Sequence, residues 1–592
     1  MATEIRTNVS GGSFLTTPVT EADFLTPERF DDEQKAVREL ARTFIEREVL
    51  PKAEEIDHQE PGLLRSLLHR AGEQGLLGVD VPEAYGGQDL GLVYSAIIAS
   101  EQAEGSFAVA VGTQTTIGLL PIVYYGTAEQ KARFLPAMVA GEKVSCYCLT
   151  EPGVGSDAMG IKTRATLSPD GTHYLLNGAK QWISNGGIAD MGIVFAKIDD
   201  TKFTGFIVDM HTPGIRLGAE EKKMGIKGSS TRSVYFEDAA IPVENVLGEI
   251  GKGYKIAFNI LNIGRLKLGV GGVAGGRKAL ELSTAYATTR RAFGKTISNF
   301  GLIKGKLAGM AADTYAIEAL GFRTASYVEH ARLAAGESQS AQVNALEEFA
   351  IEASIAKVFG SEAVGHIIDE GVQIFGGNGF MQEYPIEKAY RDARISRIFE
   401  GTNEINRMLA SGTLFKRAMQ NRVNLFTAFP EIDTQVQSGT VTDFATNDTP
   451  ADLRSAVNVI EHAKRASIYA AMKASVKFMS TIDEEQEFLG DVGDLLIDIL
   501  AMDSAVGRAV QAARENVPDA KMHAELANFF VYRQLPHLRT ALEHVVASAQ
   551  EGADRANELK LVRNYLTDLD INATALSRSL ADAIIAKGGY LF

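Results

Sequence analysis

The spacing of apolar residues changes character along the chain. From about Asp31 it is helical: Ala36, Leu40, Phe44 and Ile45 fall on one stripe, and the pattern continues through Leu63-Leu64 and Leu67-Leu68. Pro82-Glu83-Ala84-Tyr85-Gly86-Gly87 reads as a loop. More helices, rich in small residues, run from Val93 to about Ala140. Near Val144 the rhythm shortens, and short strands separated by turns are predicted as far as about Gly248. Thr172-His173-Tyr174-Leu175-Leu176 followed by Asn177-Gly178 predicts a strand entering a tight turn. Ile193-Val194-Phe195-Ala196, Phe206-Ile207-Val208 and Ser233-Val234-Tyr235-Phe236 are further strand-type runs. Helical periodicity resumes at about Tyr254 and runs to Ser411, interrupted by Pro385. Gln437 to Pro450 is polar and reads as a linker, after which helices return.

This pattern predicts an α+β chain: an arm over 1–27, an N-terminal helical domain over 28–143, a central β-domain over 144–250, a C-terminal helical bundle over 251–415, a linker over 416–450 and an additional helical domain over 451–592. The arm, rich in Thr and Gly, is expected to be loose. The length of 592 residues agrees with several folding units, and 45% hydrophobic with 23% charged residues is globular composition. A formal net charge of −16 argues against a nucleic-acid coat, which needs clustered cations. Cys146 and Cys148 lie two apart on a predicted strand, without metal-ligand spacing or a nearby His, so no metal site is predicted and small buried side chains are expected. No secretory leader or run long enough to span a membrane is read, and the cytoplasm is the expected location.

Five segments carry candidate chemistry. Leu149-Thr150-Glu151-Pro152-Gly153-Val154-Gly155-Ser156-Asp157 combines hydroxyls with glycines that permit close backbone approach, although an ordinary turn has the same look. Trp182, the one tryptophan, stands in Gln181-Trp182-Ile183-Ser184-Asn185-Gly186-Gly187; it suits packing on an aromatic group or capping a core. Arg290-Arg291-Ala292-Phe293-Gly294-Lys295 ends a helical segment, where cations either complement the helix dipole or hold a pyrophosphate. Gln373-Ile374-Phe375-Gly376-Gly377-Asn378-Gly379-Phe380 places glycines in a helical block, which is costly unless the chain turns or approaches something closely. Tyr390-Arg391-Asp392-Ala393-Arg394-Ile395-Ser396-Arg397-Ile398-Phe399-Glu400-Gly401-Thr402 puts Glu400 at a helix break beside apolar residues, with Thr402 or Asn403 able to cap the next helix. There Glu400 is either a solvated carboxylate near a helix start or a base with a raised pKa.

Together these segments resemble the acyl-CoA dehydrogenase family over roughly residues 30–415, in order and spacing. The resemblance implies FAD as cofactor, between the β-domain and the bundle. Tyr147, Leu149, Thr150, Gly155, Ser156, Trp182, Ile183 and Ser184 would line it, with Ser156 also meeting the CoA portion. Thr402 and Glu404 would touch the same FAD, and Arg290, Phe293, Gln373, Gly376 and Gly377 the FAD of a neighbouring subunit, implying a homodimer. Asn262 and Arg265 resemble the substrate-side helix, with Gly401 also at the substrate. Glu400 would take the α-proton of a fatty acyl-CoA while hydride passes to flavin N5, giving a trans-2-enoyl-CoA and leaving reoxidation to an electron-transfer flavoprotein. Gly264 stands where some members carry the base, which strengthens Glu400. Ala292, Gly301 and Gly412 depart from residues that touch ligands in relatives.

The extra helical block, Asn299-Phe300-Gly301-Leu302-Ile303 and the ending Lys587-Gly588-Gly589-Tyr590-Leu591-Phe592 resemble the very-long-chain branch and imply long-chain substrates. Residues 411–450 hold Leu414-Phe415 and Leu425-Phe426, but Asp433, Asp443 and Asp448 argue against strong adhesion, so membrane contact is possible and not predicted. An acyl-CoA oxidase on the same scaffold and a flavin-binding assembly factor with vestigial activity are the alternative readings.

Overall fold

Asp31 starts the first long helix, Asp32–Phe44. Its side chain accepts from the Gln34 N–H at 2.8 Å while its own N–H donates to Gln34 Oε1 at 3.1 Å. The computed structural model describes residues 9–336 and 338–592. The helix is where the periodicity predicts, but its inward face is Gln34, Ala41 and Phe44, continued by Ile45; Ala36 and Leu40 point outward. Helices Ala53–Asp57, Leu63–Glu73, Leu92–Ala99, Gly105–Gly112, Leu120–Tyr125 and Ala128–Val139 complete this block. Between Gly112 and Leu119 the backbone widens into a π turn, Thr113–Gly118, which re-aims successive side chains. The stretch Gly105–Tyr125 is long and apolar enough to cross a membrane, with mean hydropathy 1.5, yet 78% of it is buried inside the protein.

The β-domain is one eight-stranded mixed sheet. Its strands are β1 Ser145–Cys148, β2 Arg164–Leu167, β3 His173–Ser184, β4 Met191–Ile198, β5 Lys202–Asp209, β6 Ile215–Glu220, β7 Thr231–Pro242 and β8 Val246–Leu247. The order is β6-β7-β3-β2-β4-β5-β8, with β1 and β2 pairing in parallel with successive stretches of β4. The turn expected at Asn177-Gly178 is not a turn. β3 runs straight through it, with a register shift against β7 between Leu176 and Gly178. Gly178 takes φ +150°, and a Cβ there would fall 2.6 Å from Thr163 Oγ1, so glycine is required by close approach to the segment that enters β2. The tight connection lies one strand earlier, where Ser168 N donates to His173 O and Gly171 N to Ser168 O. Cys146 and Cys148 are buried free thiols, with sulfurs 3.8 Å apart.

The bundle is built from helices Gly253–Thr289, Gly301–Ala334, Ala350–Phe375 and Asn403–Met419. Two of them cross backbone to backbone: a Cβ on Gly269 would lie 2.4 Å from Ala356 O, and one on Gly360 would lie 2.5 Å from Gly269 O. Helix Gly301–Ala334 is buried on every side from Leu307 to Glu329, because the last block packs over it. That block consists of Arg454–Phe478, Gln486–Arg514, Ala520–Ala549, Gly552–Tyr565 and Ala573–Lys587. The enclosed charges of the central helix are met by partners from the block: Asp503 pairs with Arg323 and, at 2.5 Å, with Lys464, while Arg508 reaches Glu318 at 2.9 Å.

The arm is not loose over its described part; residues 1–8 lie outside the described residues. Phe14, Leu15, Val19, Phe24 and Leu25 are buried. Gly12 N donates to Glu352 Oε1 at 2.6 Å, Val19 N to Glu461 Oε1 at 2.9 Å and Phe24 N to Gln511 Oε1 at 3.1 Å, so the segment seals the seam between bundle and last block. Its apolar residues follow neither helical nor strand period, because they dock one at a time. Part of the expected linker is also structured: helix Leu425–Ser438 occupies much of 416–450.

Candidate active site

Helix Pro385–Ala393 and the 3-10 turn Arg394–Arg397 lead the chain to a sharp reversal. Glu400 takes φ +59° and Gly401 φ +80°. A left-handed non-glycine residue is strained by about 1 kcal/mol and needs support from its surroundings. Here the support is explicit. Arg265 Nε donates to Glu400 O at 3.2 Å, Lys357 Nζ to Gly401 O at 2.7 Å, and Asn406 Nδ2 to Gly401 O at 2.8 Å. Thr402 Oγ1 accepts from Ile405 N at 3.3 Å and caps helix Asn403–Met419.

The Glu400 side chain is enclosed, and its open side gives onto a cavity of about 1030 Å³. Its Oε2 is buried and has no hydrogen-bond partner among the described residues. Gly264 faces it from helix Gly253–Thr289: a Cβ at that position would come within 3.0 Å of Oε2, so the missing side chain makes room for the acid. Burial pushes the carboxyl up from 4.5 to about 7, against the opposing pull of Arg265 and then Lys357. Arg265 is itself lowered to about 10 by burial, with Glu400 opposing, and Lys357 to about 8 by burial with the same opposition. Neither cation is in ion-pair contact with the carboxylate. Arg265 Nη1 is committed to Asn262 Oδ1 at 2.8 Å, and Lys357 Nζ also donates to Asn403 Oδ1 at 2.6 Å.

Most of the residues singled out from the sequence meet at this cavity: Tyr147, Leu149, Thr150, Gly155, Ser156, Trp182, Ile183 and Ser184 from the β-domain, and Arg265, Gly401 and Thr402 from the bundle. Trp182 is 60% exposed at φ +59°, so it caps no core. Among the described residues the Tyr147 hydroxyl is buried without a partner, and a Cβ on Gly153 or Gly155 would meet nothing within 4 Å. Behind this loop a buried pair, Lys180 Nζ to Glu151 Oε1 at 2.7 Å, fixes its position, and Gln181 N donates to Thr150 O at 2.9 Å. Asn262 is buried behind Arg265 and does not line the cavity. Glu404 is exposed on the first turn of its helix, off the cavity lining.

A second group stands apart. Arg290, Phe293, Gln373, Gly376 and Gly377 are exposed and off the cavity, with Phe293 95% exposed on a small hairpin. They share one end of the bundle, because Tyr286 stacks on Phe375 at 4.2 Å and accepts from Asn378 Nδ2 at 3.1 Å. Lys357 and Asn406 were not singled out from the sequence. The signal for Lys357 was a lysine inside the apolar run Ile355-Ala356-Lys357-Val358-Phe359.

A helix–sheet–helix chain that closes on a cavity with a strained, desolvated and unpartnered carboxylate has the build of an enzyme that works by proton abstraction. The chain belongs to the acyl-CoA dehydrogenase family: the N-terminal domain of that family matches residues 31–142, the middle domain 146–239, and C-terminal domains 251–414 and 462–564. A probable acyl-CoA dehydrogenase of Bacillus subtilis is 41% identical over 98% of both chains. A very long-chain specific mitochondrial acyl-CoA dehydrogenase of Rattus norvegicus is 33% identical over 94% of this chain and 83% of its own. The crystal structure of an acyl-CoA dehydrogenase complexed with FAD from Bacillus anthracis superposes with TM-score 0.93 at 41% identity, covering 98% of this chain and all of that one.

Proposed function

We propose that the protein is an FAD-dependent acyl-CoA dehydrogenase in which Glu400 removes the α-proton of a fatty acyl-CoA, giving the trans-2-enoyl-CoA. The observation that carries this is the Glu400 carboxylate itself: enclosed, raised to about 7, unpartnered at Oε2 and open to the cavity. A base needs a pKa near the working pH, and this one is poised there. Binding of an acyl chain expels water and raises it further, so the carboxylate becomes a stronger base as the substrate arrives. Arg265 and Lys357 oppose that rise enough to keep it ionisable. The Glu400 N–H has no acceptor among the described residues, which leaves it free to donate to the thioester oxygen as negative charge grows there.

The cavity suits FAD. Trp182 offers an exposed aromatic face, Thr150, Ser184 and Thr402 offer hydroxyls, and the Gly153 and Gly155 backbone stands in open space. Bound there, FAD supplies the electron acceptor that no side chain can provide. The exposed set Arg290, Phe293, Gln373, Gly376 and Gly377 would hold the FAD of a second subunit, making the enzyme a homodimer. An electron-transfer flavoprotein is the proposed oxidant. Likeness to the very long-chain relative over the added helical block supports a long-chain substrate, and the cytoplasm is the proposed location.

The test is anaerobic flavin absorbance of the wild type and Glu400→Gln, mixed with palmitoyl-CoA and with butyryl-CoA. Palmitoyl-CoA should bleach the wild type, with the variant at least roughly a thousandfold slower. A preference for butyryl-CoA refutes the long-chain assignment, and a variant that bleaches at the wild-type rate removes Glu400 as base.

A further inference from the structure

The chemistry above makes no use of Lys267. This residue follows Gly264 by one turn on helix Gly253–Thr289, about 4.5 Å along the axis, and lines the same cavity. Its Nζ donates to Thr115 Oγ1 at 3.0 Å, and that hydroxyl donates in turn to Val111 O at 2.9 Å. The bond therefore runs from the bundle to the π turn Thr113–Gly118, two walls of the chamber beyond Glu400. Among the described residues no other acceptor meets the ammonium and no carboxylate is in ion-pair contact with it, so two of its protons are idle. Burial pushes the Lys267 pKa down, the Asp80 carboxyl favours the charged lysine without ion-pair contact, and burial in turn pushes the Asp80 carboxyl up toward its neutral form. Beyond Asp80, Glu329 and Arg332 pair with each other at 2.6 Å.

Lys267 is not the only residue of the cavity lining with an idle polar group. Thr116 and Gln102 line the same cavity, and their Oγ1 and Oε1 atoms are buried with no partner among the described residues. An acyl chamber meant for hydrocarbon alone has no use for an ammonium with two idle protons, an unpartnered hydroxyl and an unpartnered amide oxygen, since each is costly to desolvate. The charge and the donors call for an oxygen acceptor delivered by the ligand.

We propose that Lys267, with Thr116 and Gln102, forms a subsite for a carboxylate carried on the acyl chain, so that the enzyme takes CoA monothioesters of dicarboxylic acids. This rests on the acyl-CoA reading above and narrows it. The carboxylate accepts the two idle ammonium protons and the Thr116 hydroxyl proton; the Gln102 amide, turned about its last bond, presents its NH₂. A methyl-ended chain at the same point leaves all of these groups idle.

The experiment compares hexadecanedioyl-CoA with palmitoyl-CoA and dodecanedioyl-CoA with lauroyl-CoA, on the wild-type holoenzyme, Lys267→Met and Lys267→Arg. It reads kcat/KM for each pair, and calorimetric binding of the same pairs to the Glu400→Gln holoenzyme with and without Lys267→Met. At one chain length the wild type should favour the carboxylated member by roughly tenfold or more, Lys267→Met should reverse the ratio, and Lys267→Arg should keep its direction. Binding should follow the same order. Palmitoyl- and lauroyl-CoA turning over while no carboxylated member is favoured overturns the subsite alone, as does a ratio unchanged in Lys267→Met. If Lys267→Met loses its flavin, Thr116→Val takes its place and should narrow the ratio; an unmoved ratio there overturns the subsite. Failure of every acyl-CoA to bleach the flavin overturns the dehydrogenase reading, and the subsite with it.

Discussion

Glu400 and Glu318 are both enclosed carboxylates of the same bundle, and they lie on opposite sides of the ordinary range. Glu400 is raised to about 7, whereas Glu318 is lowered to about 2. Burial pushes both upward. At Glu318 that push is overcome by contact: Arg277 pairs with it directly, Arg508 approaches to 2.9 Å, Arg38 stands at 3.9 Å and the Tyr590 hydroxyl donates at 3.1 Å. At Glu400 the cations are present but spent on carbonyl and amide oxygens. The difference lies in how the cations are used. One region, at the junction of bundle and last block, saturates its acid and holds the structure together; the other leaves its acid hungry for a proton.

The sharpest way to break this comparison is Arg508→Met. It strips contact from Glu318 and also from Glu28, which Arg508 meets at 2.5 Å. Stranding buried carboxylates should cost about 3–5 kcal/mol in urea unfolding. A loss below about 1 kcal/mol would mean that contact does not explain the low Glu318 value. The network also has a pH signature. The Glu318 pKa is depressed in the folded state, so its stabilisation is present above its unfolded value and is lost as pH falls from 4.5 toward about 2.

Glu400→Gln tests the other side. A raised carboxyl favours the protonated fold, so its penalty is absent below 4.5, grows toward 7 and is complete above that. The variant should therefore be more stable than wild type by of order 3 kcal/mol at mildly alkaline pH, and equal to it in acid. Unfolding curves at the two ends of that window check this; an equal gain at both would point to packing rather than charge.

The smallest expected effect is that of Lys357→Met. Removing a cation that lowers Glu400 should move the acidic limb of the kcat/KM profile to higher pH by about one unit or less. A uniform drop at every pH would show that the lysine only holds the Gly401 carbonyl.

Several features were legible because they are local. The helical pattern sets in at about Asp31, Val144 marks the change to strands, and Glu400-Gly401-Thr402 reads as a break followed by a cap. The segments around Thr150 and Trp182 stood out by composition, and the structure brings both to the cavity. Other features were not local. Asn177-Gly178 has the look of a hairpin turn, but β3 runs through it with a register shift against β7, close against Thr163. Ala36 and Leu40 share a stripe with Phe44, but the surface that covers this helix meets Gln34 and Ala41 instead. The arm carries Phe14, Val19 and Phe24 without period, and only the seam it fills gives those positions meaning.

By itself the sequence determined the order of helical and strand blocks, the glycine-rich turns and the place of Glu400 at a helix break, since each depends on neighbours within a few residues. The tertiary structure decided the protonation balance of that acid, the use of Arg265 and Lys357 as supports, and the idle ammonium of Lys267. Those depend on what surrounds a side chain in space, where burial and contact between distant segments set the energy of a charge.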